Sequence, residues 1–177
     1  MPLLVRPDNT RMHDLEIRVR TLELAARAHA TAGPFQMTHL QPGTAAALAT
    51  WHQMITARDL SNLSSIVDPQ ASFRSPMAHT AYESAAAVIL VLTTAFSVFE
   101  NFAYHRELAT EDGLSVVLEF SATVGDKQLK GIDLIRFTEA GKIIEFEVMV
   151  RPMSGLQALG IEMAKRVGHQ MPAFKAK

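Results

Sequence analysis

Between residues 100 and 150 one pattern occurs four times, and it limits the fold more than any other feature of the chain. Runs at 100–110, 115–124, 128–137 and 142–150 are rich in β-branched and aromatic residues, which is the composition of strands. They are separated by the turn signals Glu111-Asp112-Gly113, Gly125-Asp126 and Glu139-Ala140-Gly141. Short turns of this kind join strands as antiparallel hairpins, because glycine reaches backbone angles that other residues resist and aspartate bonds its own turn.

The residues before this meander read as helical. Thr44 is a plausible N-cap for a helix to about Ala57, with Leu48, Trp51, His52 and Ile55 on one face. A short helix is expected over 60–67, stopped by Asp68-Pro69, then a short strand over 71–75. A loop over 77–82 leads into a long helix over 83–98, and a last helix is expected over 154–167, followed by a polar tail. Strands segregated from helices make an α+β domain with the helices on one face of an antiparallel sheet. Strands of about ten residues give a long, twisted sheet that curls over the helices it covers, and a helix across the open side encloses a cavity.

Composition removes several function classes. The chain has 17 Lys+Arg against 18 Asp+Glu, which argues against the basic surface of a nucleic-acid binder and the polybasic patch of a membrane binder. Hydrophobic residues are 48% of the 177, enough for a substantial core. Cysteine is absent, so thiol catalysis, disulfides and cysteine-ligated metals are excluded. The most apolar stretch, 85–99, is interrupted by Thr93, Thr94 and Ser97 and falls short of the about 20 residues needed to cross a bilayer. The start, MPLLVRPDNT, is too short an apolar stretch for a secretory signal, and a cytoplasmic protein is expected. Residues 12–30 read as one helix ended by Ala32-Gly33-Pro34. The organisation expected is thus a helical arm over 1–36, a main domain over 37–153, and a C-terminal helix and tail over 154–177.

Several segments, in order, resemble the nuclear transport factor 2-like superfamily: WHQMITARDL at 51–60, ASFRSP at 71–76, GIDLIRF at 131–137 and GKIIEFEV at 141–148. The resemblance runs from about 44 to 151 and is strongest to the SnoaL-like, polyketide cyclase-like branch. It implies a cone-shaped, strongly curved antiparallel sheet wrapped around a long helix, with a pocket inside. Ketosteroid isomerase is a distant member of this superfamily, and it works with an Asp base and an oxyanion hole of a Tyr and a protonated Asp. The resemblance carries the hole's aspartate onto Asp133, the base onto Ser75 and the tyrosine onto Trp51. A serine hydroxyl is no base near neutral pH, and an indole N–H lacks the acidity of a phenol.

Asp133 is the first candidate for chemistry. Gly131, Ile135 and Phe137 share its strand face, and Ile132 and Leu134 make the other face apolar as well. A carboxylate so placed is either paired or shifted in pKa by desolvation. His105 and Glu107 alternate on one strand face, as a base with its orienting carboxylate or as ordinary surface residues. His79 and Tyr82 flank the expected pocket mouth. For ligand contact the candidates are Trp51, Val116, Leu118, Phe120 and Ile135, with Phe146, Val148 and Val150 on the last strand. A plain hydrophobic core explains these residues equally well. No HxH or HExxH spacing, glycine-rich phosphate loop or GxSxG elbow occurs, so no metal or other cofactor is expected. The reading is a pocket protein for a small apolar molecule. As an enzyme it would be an isomerase, dehydratase or cyclase moving a proton on a carbonyl or hydroxyl compound; the alternative is a non-catalytic binding or dimerisation domain. Ile132, Leu134 and Ile144 on the outer sheet face suggest a homodimer.

Overall fold

The computed structural model describes residues 40–167; the readings for the N-terminal arm and for the tail beyond Val167 lie outside them. Helix α1 (Pro42–Ala57) begins three residues earlier than the sequence suggests. Pro42 stands in its first turn, where its missing N–H costs nothing; Gln41 is the cap and Thr44 is fully buried. The helix ends at Arg58 in the left-handed region (φ 53°). Asp59 then accepts the Ser61 N–H at 2.8 Å.

No helix forms over 60–67. A single 3-10 turn at Leu63–Ser65 leads directly into β1 (Val67–Arg74), which contains the Asp68-Pro69 pair expected to act as a stop. Proline is tolerated because the register of β1 slips between Val67 and Ser72, and irregularities of this kind are where strands accept it. Asp68 turns the backbone there by accepting the Gln70 N–H. After the two-residue β2 (Tyr82–Glu83), helix α2 runs over Ala85–Val98. Its start is set by Ser84, whose hydroxyl accepts the Ala87 N–H at 3.1 Å.

The expected meander is present as β3 (Glu100–Ala109), β4 (Ser115–Val124), β5 (Lys127–Phe137) and β6 (Ile143–Arg151), followed by α3 (Met153–Val167). The sheet has six strands in the order β2-β1-β6-β5-β4-β3, and β1 lies parallel to β6. It is therefore mixed rather than purely antiparallel. Alternation is cleanest on β4, where Val116, Leu118, Phe120, Ala122 and Val124 are buried and the residues between them are not. Helices cover this inner face, forming a core with α1, α2 and β1 and a second cluster with α3. No helix among the described residues is long and apolar enough to cross a membrane.

One glycine shapes the interior directly. Gly131 lies opposite Phe120, and a Cβ at Gly131 would stand 2.4 Å from the Phe120 ring and 2.5 Å from the Met149 carbonyl oxygen. The absent side chain is what lets that ring lie against β5. Gly131→Ala is expected to push Phe120 inward and to lower unfolding stability by about 1–3 kcal/mol, measurable by urea denaturation.

Candidate functional site

Inside the curled sheet is a cavity of about 350 Å³ with an aromatic wall. Six of the chain's nine phenylalanines face it (Phe73, Phe96, Phe99, Phe102, Phe120 and Phe146), together with its one tryptophan and both tyrosines. The rings pack on one another: Phe102 stacks on Phe99 and Phe120, and Trp51 meets Phe146 edge-on at 5.6 Å. Aromatic pairs in such offset and edge arrangements gain energy beyond their area, so the wall holds its shape.

Among the described residues the cavity wall holds one carboxyl group. Asp133 sits on β5 between Leu118 of β4 and Val148 of β6 and is only 6% exposed. The Tyr104 hydroxyl donates to its Oδ2 at 2.7 Å, and the Trp51 indole N–H donates to the Tyr104 oxygen at 3.0 Å. No other hydrogen bond to the carboxyl occurs among the described residues, which leaves Oδ1 to the cavity. Tyr104 is on β3, two strands from Asp133, which on a flat sheet is about 10 Å. The length of the phenol and an inward curl of the β3 edge close that distance.

Electrostatics set the protonation. Burial pushes the Asp133 carboxyl from its ordinary 3.8 up to about 7, against the opposing pull of the Tyr104 hydrogen bond. Burial, then the Asp133 charge and hydrogen bond, hold the Tyr104 phenol well above 10, so its proton stays in place. Near neutral pH Asp133 is thus divided between acid and carboxylate, able to give a proton or take one.

The structure sorts the other candidates. Trp51, Phe120, Phe146, Val148 and Tyr82 line the cavity. Val116, Leu118 and Ile135 lie in the packed core, and Val150 packs against the cluster under α3. His79 is exposed and lies outside the cavity wall. His105 is also exposed, with Nε2 2.7 Å from Ser121 Oγ, while Glu107 pairs with His52 at 3.1 Å. The expected partnership of His105 and Glu107 is therefore not formed, and the cause is a bulge. Tyr104 pairs with Phe120 but Arg106 with Glu119, so His105 is the extra residue and the parity of the strand reverses beyond it. Ser75 does reach the cavity, and its Oγ accepts the Met77 N–H at 3.1 Å.

Tyr104 is the residue that sequence reasoning missed. A phenol does stand beside Asp133, but it comes from β3 and not from the position of Trp51, which is its hydrogen-bond donor. The available signal was that Phe102 and Tyr104 have the same parity on their strand. No cluster of three or more His, Asp or Glu suited to a metal occurs among the described residues.

Residues 48–146 match the SnoaL-like domain family. Among solved structures the chain is similar to a steroid delta-isomerase from Pseudomonas aeruginosa, with 58% identity and a TM-score of 0.72 over 75% of this chain and 97% of the other. It is also similar to an uncharacterised protein with a cystatin-like fold from Silicibacter pomeroyi, with 27% identity and a TM-score of 0.68 over 80% and 99%. The epoxide hydrolase/cyclase-like enzyme SalBIII shares the fold at 17% identity and a TM-score of 0.52, over 63% and 92%. No curated protein matches the chain significantly.

The raised Asp133 value couples protonation to folding. Between about pH 4 and pH 7 the folded chain retains a proton that the unfolded chain has released, so this group's contribution to stability falls as pH rises through that window. The full loss above pH 7 is on the order of 4 kcal/mol. Asp133→Asn, which keeps an acceptor for Tyr104 and carries no charge, is expected to stabilise the protein at pH 8. That gain should shrink by more than half at pH 5, as read by chemical denaturation at the two pH values. Tyr104→Phe removes the one interaction that lowers the Asp133 pKa, so the carboxyl should titrate higher, as followed by NMR.

Proposed function

The chain belongs to the SnoaL-like family, and from that premise we propose that it binds a flat, largely hydrocarbon molecule and moves a proton at a carbonyl or hydroxyl group presented to Asp133. The observation that carries this reading is the single carboxyl enclosed by aromatic rings, one oxygen held by Tyr104 and the other facing the cavity. A cavity of about 350 Å³ is at the small end of ligand sites, which are apolar with a few convergent polar groups. The neighbour that shares 58% of its residues is described as a steroid delta-isomerase, which makes a rigid fused-ring ketone the first compound class to test.

In its carboxylate form Asp133 takes the proton of a C–H adjacent to the ligand's carbonyl, and the carboxylic acid so formed donates a hydrogen bond to the enolate oxygen. The acid then returns that same proton to another carbon of the ligand, which regenerates the carboxylate. Tyr104 fixes the carboxyl's orientation, Trp51 fixes Tyr104, and the aromatic wall keeps water away from the transfer. Ser75 occupies the place where the resemblance puts a separate base, so the residues favour one group that serves in turn as acid and base. The serine also supports a second reading, in which the cavity binds such a ligand without converting it. On the outer face of the sheet, Ile132 and Leu134 are half-buried and Met149 is half-exposed, and a second copy of the chain is the partner this surface suits.

Incubation with a β,γ-unsaturated ketosteroid, followed by absorbance of the conjugated enone, tests the reaction. Turnover is expected from the native chain, with a loss of about 10²–10⁴-fold in Asp133→Asn and no loss of cooperative unfolding. Saturable binding without turnover would establish the binding role alone. Turnover that survives Asp133→Asn unchanged would remove Asp133 from the mechanism.

A further inference from the structure

The cavity reaches the surface where the loop at 75–77 faces the middle of α3. Along this rim Ser75, Pro76 and Met77 stand on one side and Gly160, Met163 and Ala164 on the other, and Met77 and Ala164 are exposed. Met77 is 57% exposed, and its far end nonetheless lies over part of α3. What it covers is Gly160. A Cβ at that position would lie 2.7 Å from Met77 Cε and 3.4 Å from Sδ, so the end of the methionine occupies the notch left by a missing side chain.

We propose that Met77 and Gly160 form the selecting pair of the cavity mouth, a methionine plug in a glycine notch, which decides how wide a molecule can reach the interior. Met77 suits this task because its unbranched chain has three rotatable bonds and can swing without moving the backbone. Gly160 suits it because any side chain there competes with the plug for the same space. Flat ligands that enter edge-on need only the end of Met77 to turn aside, and its sulfur and that of Met163 make favourable contacts with ring edges as they pass. Thicker molecules need the loop at 75–77 to separate from α3. Selection by width therefore acts at the rim, apart from the chemistry at Asp133. The inference rests on the cavity geometry and not on the reaction proposed above.

Trp51 supplies the measurement, since it is the chain's only tryptophan and faces the cavity. Its fluorescence is quenched with acrylamide and with the bulkier succinimide, in the full chain and without any ligand. In Met77→Ala the succinimide quenching constant is expected to rise by about threefold or more while that of acrylamide changes less than about twofold, as follows when a gate and not the fold controls access. In Gly160→Val, whose stiff side chain fills the notch, succinimide quenching should fall relative to acrylamide, and the double variant should return toward the native ratio. An unchanged ratio in Met77→Ala, or an equal rise with both quenchers, would overturn the proposal. Because quenching involves neither substrate nor the carboxyl, a failure of ketosteroid turnover leaves this result intact.

Discussion

The hydrogen bond from Tyr104 to Asp133 is the polar tie across an interior otherwise made of rings and aliphatic chains, and the site depends on it. It connects two strands that are not neighbours, so it forms only if the sheet curls. Desolvation is strong enough there to keep the carboxyl largely neutral below pH 7, yet one phenolic donor is in place for the charged form. The balance lets one group populate both protonation states under ordinary conditions. A second donor would shift the carboxyl toward ionisation, and removal of the first would shift it toward the acid.

Aromatic residues supply the surroundings in which that balance holds. Concentrating most of the chain's rings on one cavity gives a stiff, apolar lining whose stacked and edge-on contacts resist collapse into the empty space. A wall of flexible aliphatic side chains would tend to fill the void, because packed interiors tolerate few gaps. The glycine at 131 contributes to the same end by giving the Phe120 ring a place to rest outside the open volume.

Much of this was legible in the sequence, and the misreadings have definite physical causes. The four meander strands and the long helix follow from composition and turn chemistry, which act over a few residues. Asp133 stood out because a carboxylate with apolar neighbours in both directions must be accommodated somehow. The segment after α1 was misread because Leu60, Leu63, Ile66 and Val67 satisfy a helical spacing, whereas the parallel partner that draws Val67 into a strand lies more than seventy residues away. Proline looked like a stop because the slip in register that accommodates it is a property of the pair, not of the strand. Tyr104 was overlooked for a similar reason: its partners, Trp51 and Asp133, are 53 and 29 residues distant, and no local pattern announces them.

The extra residue in β3 has a consequence for heredity as well as for shape. Everything from Arg106 onward is phased by it, so Glu107 rather than Arg106 is on the side of His52 and the phenol. Loss of a single codon at position 105 would regularise the ladder, with Arg106 still opposite Glu119 and Glu107 still opposite Leu118, so both charges would keep their faces. Descendants of this chain can therefore shed the bend that a bulge gives its strand through a frame-preserving deletion, with no substitution at any residue that lines the cavity.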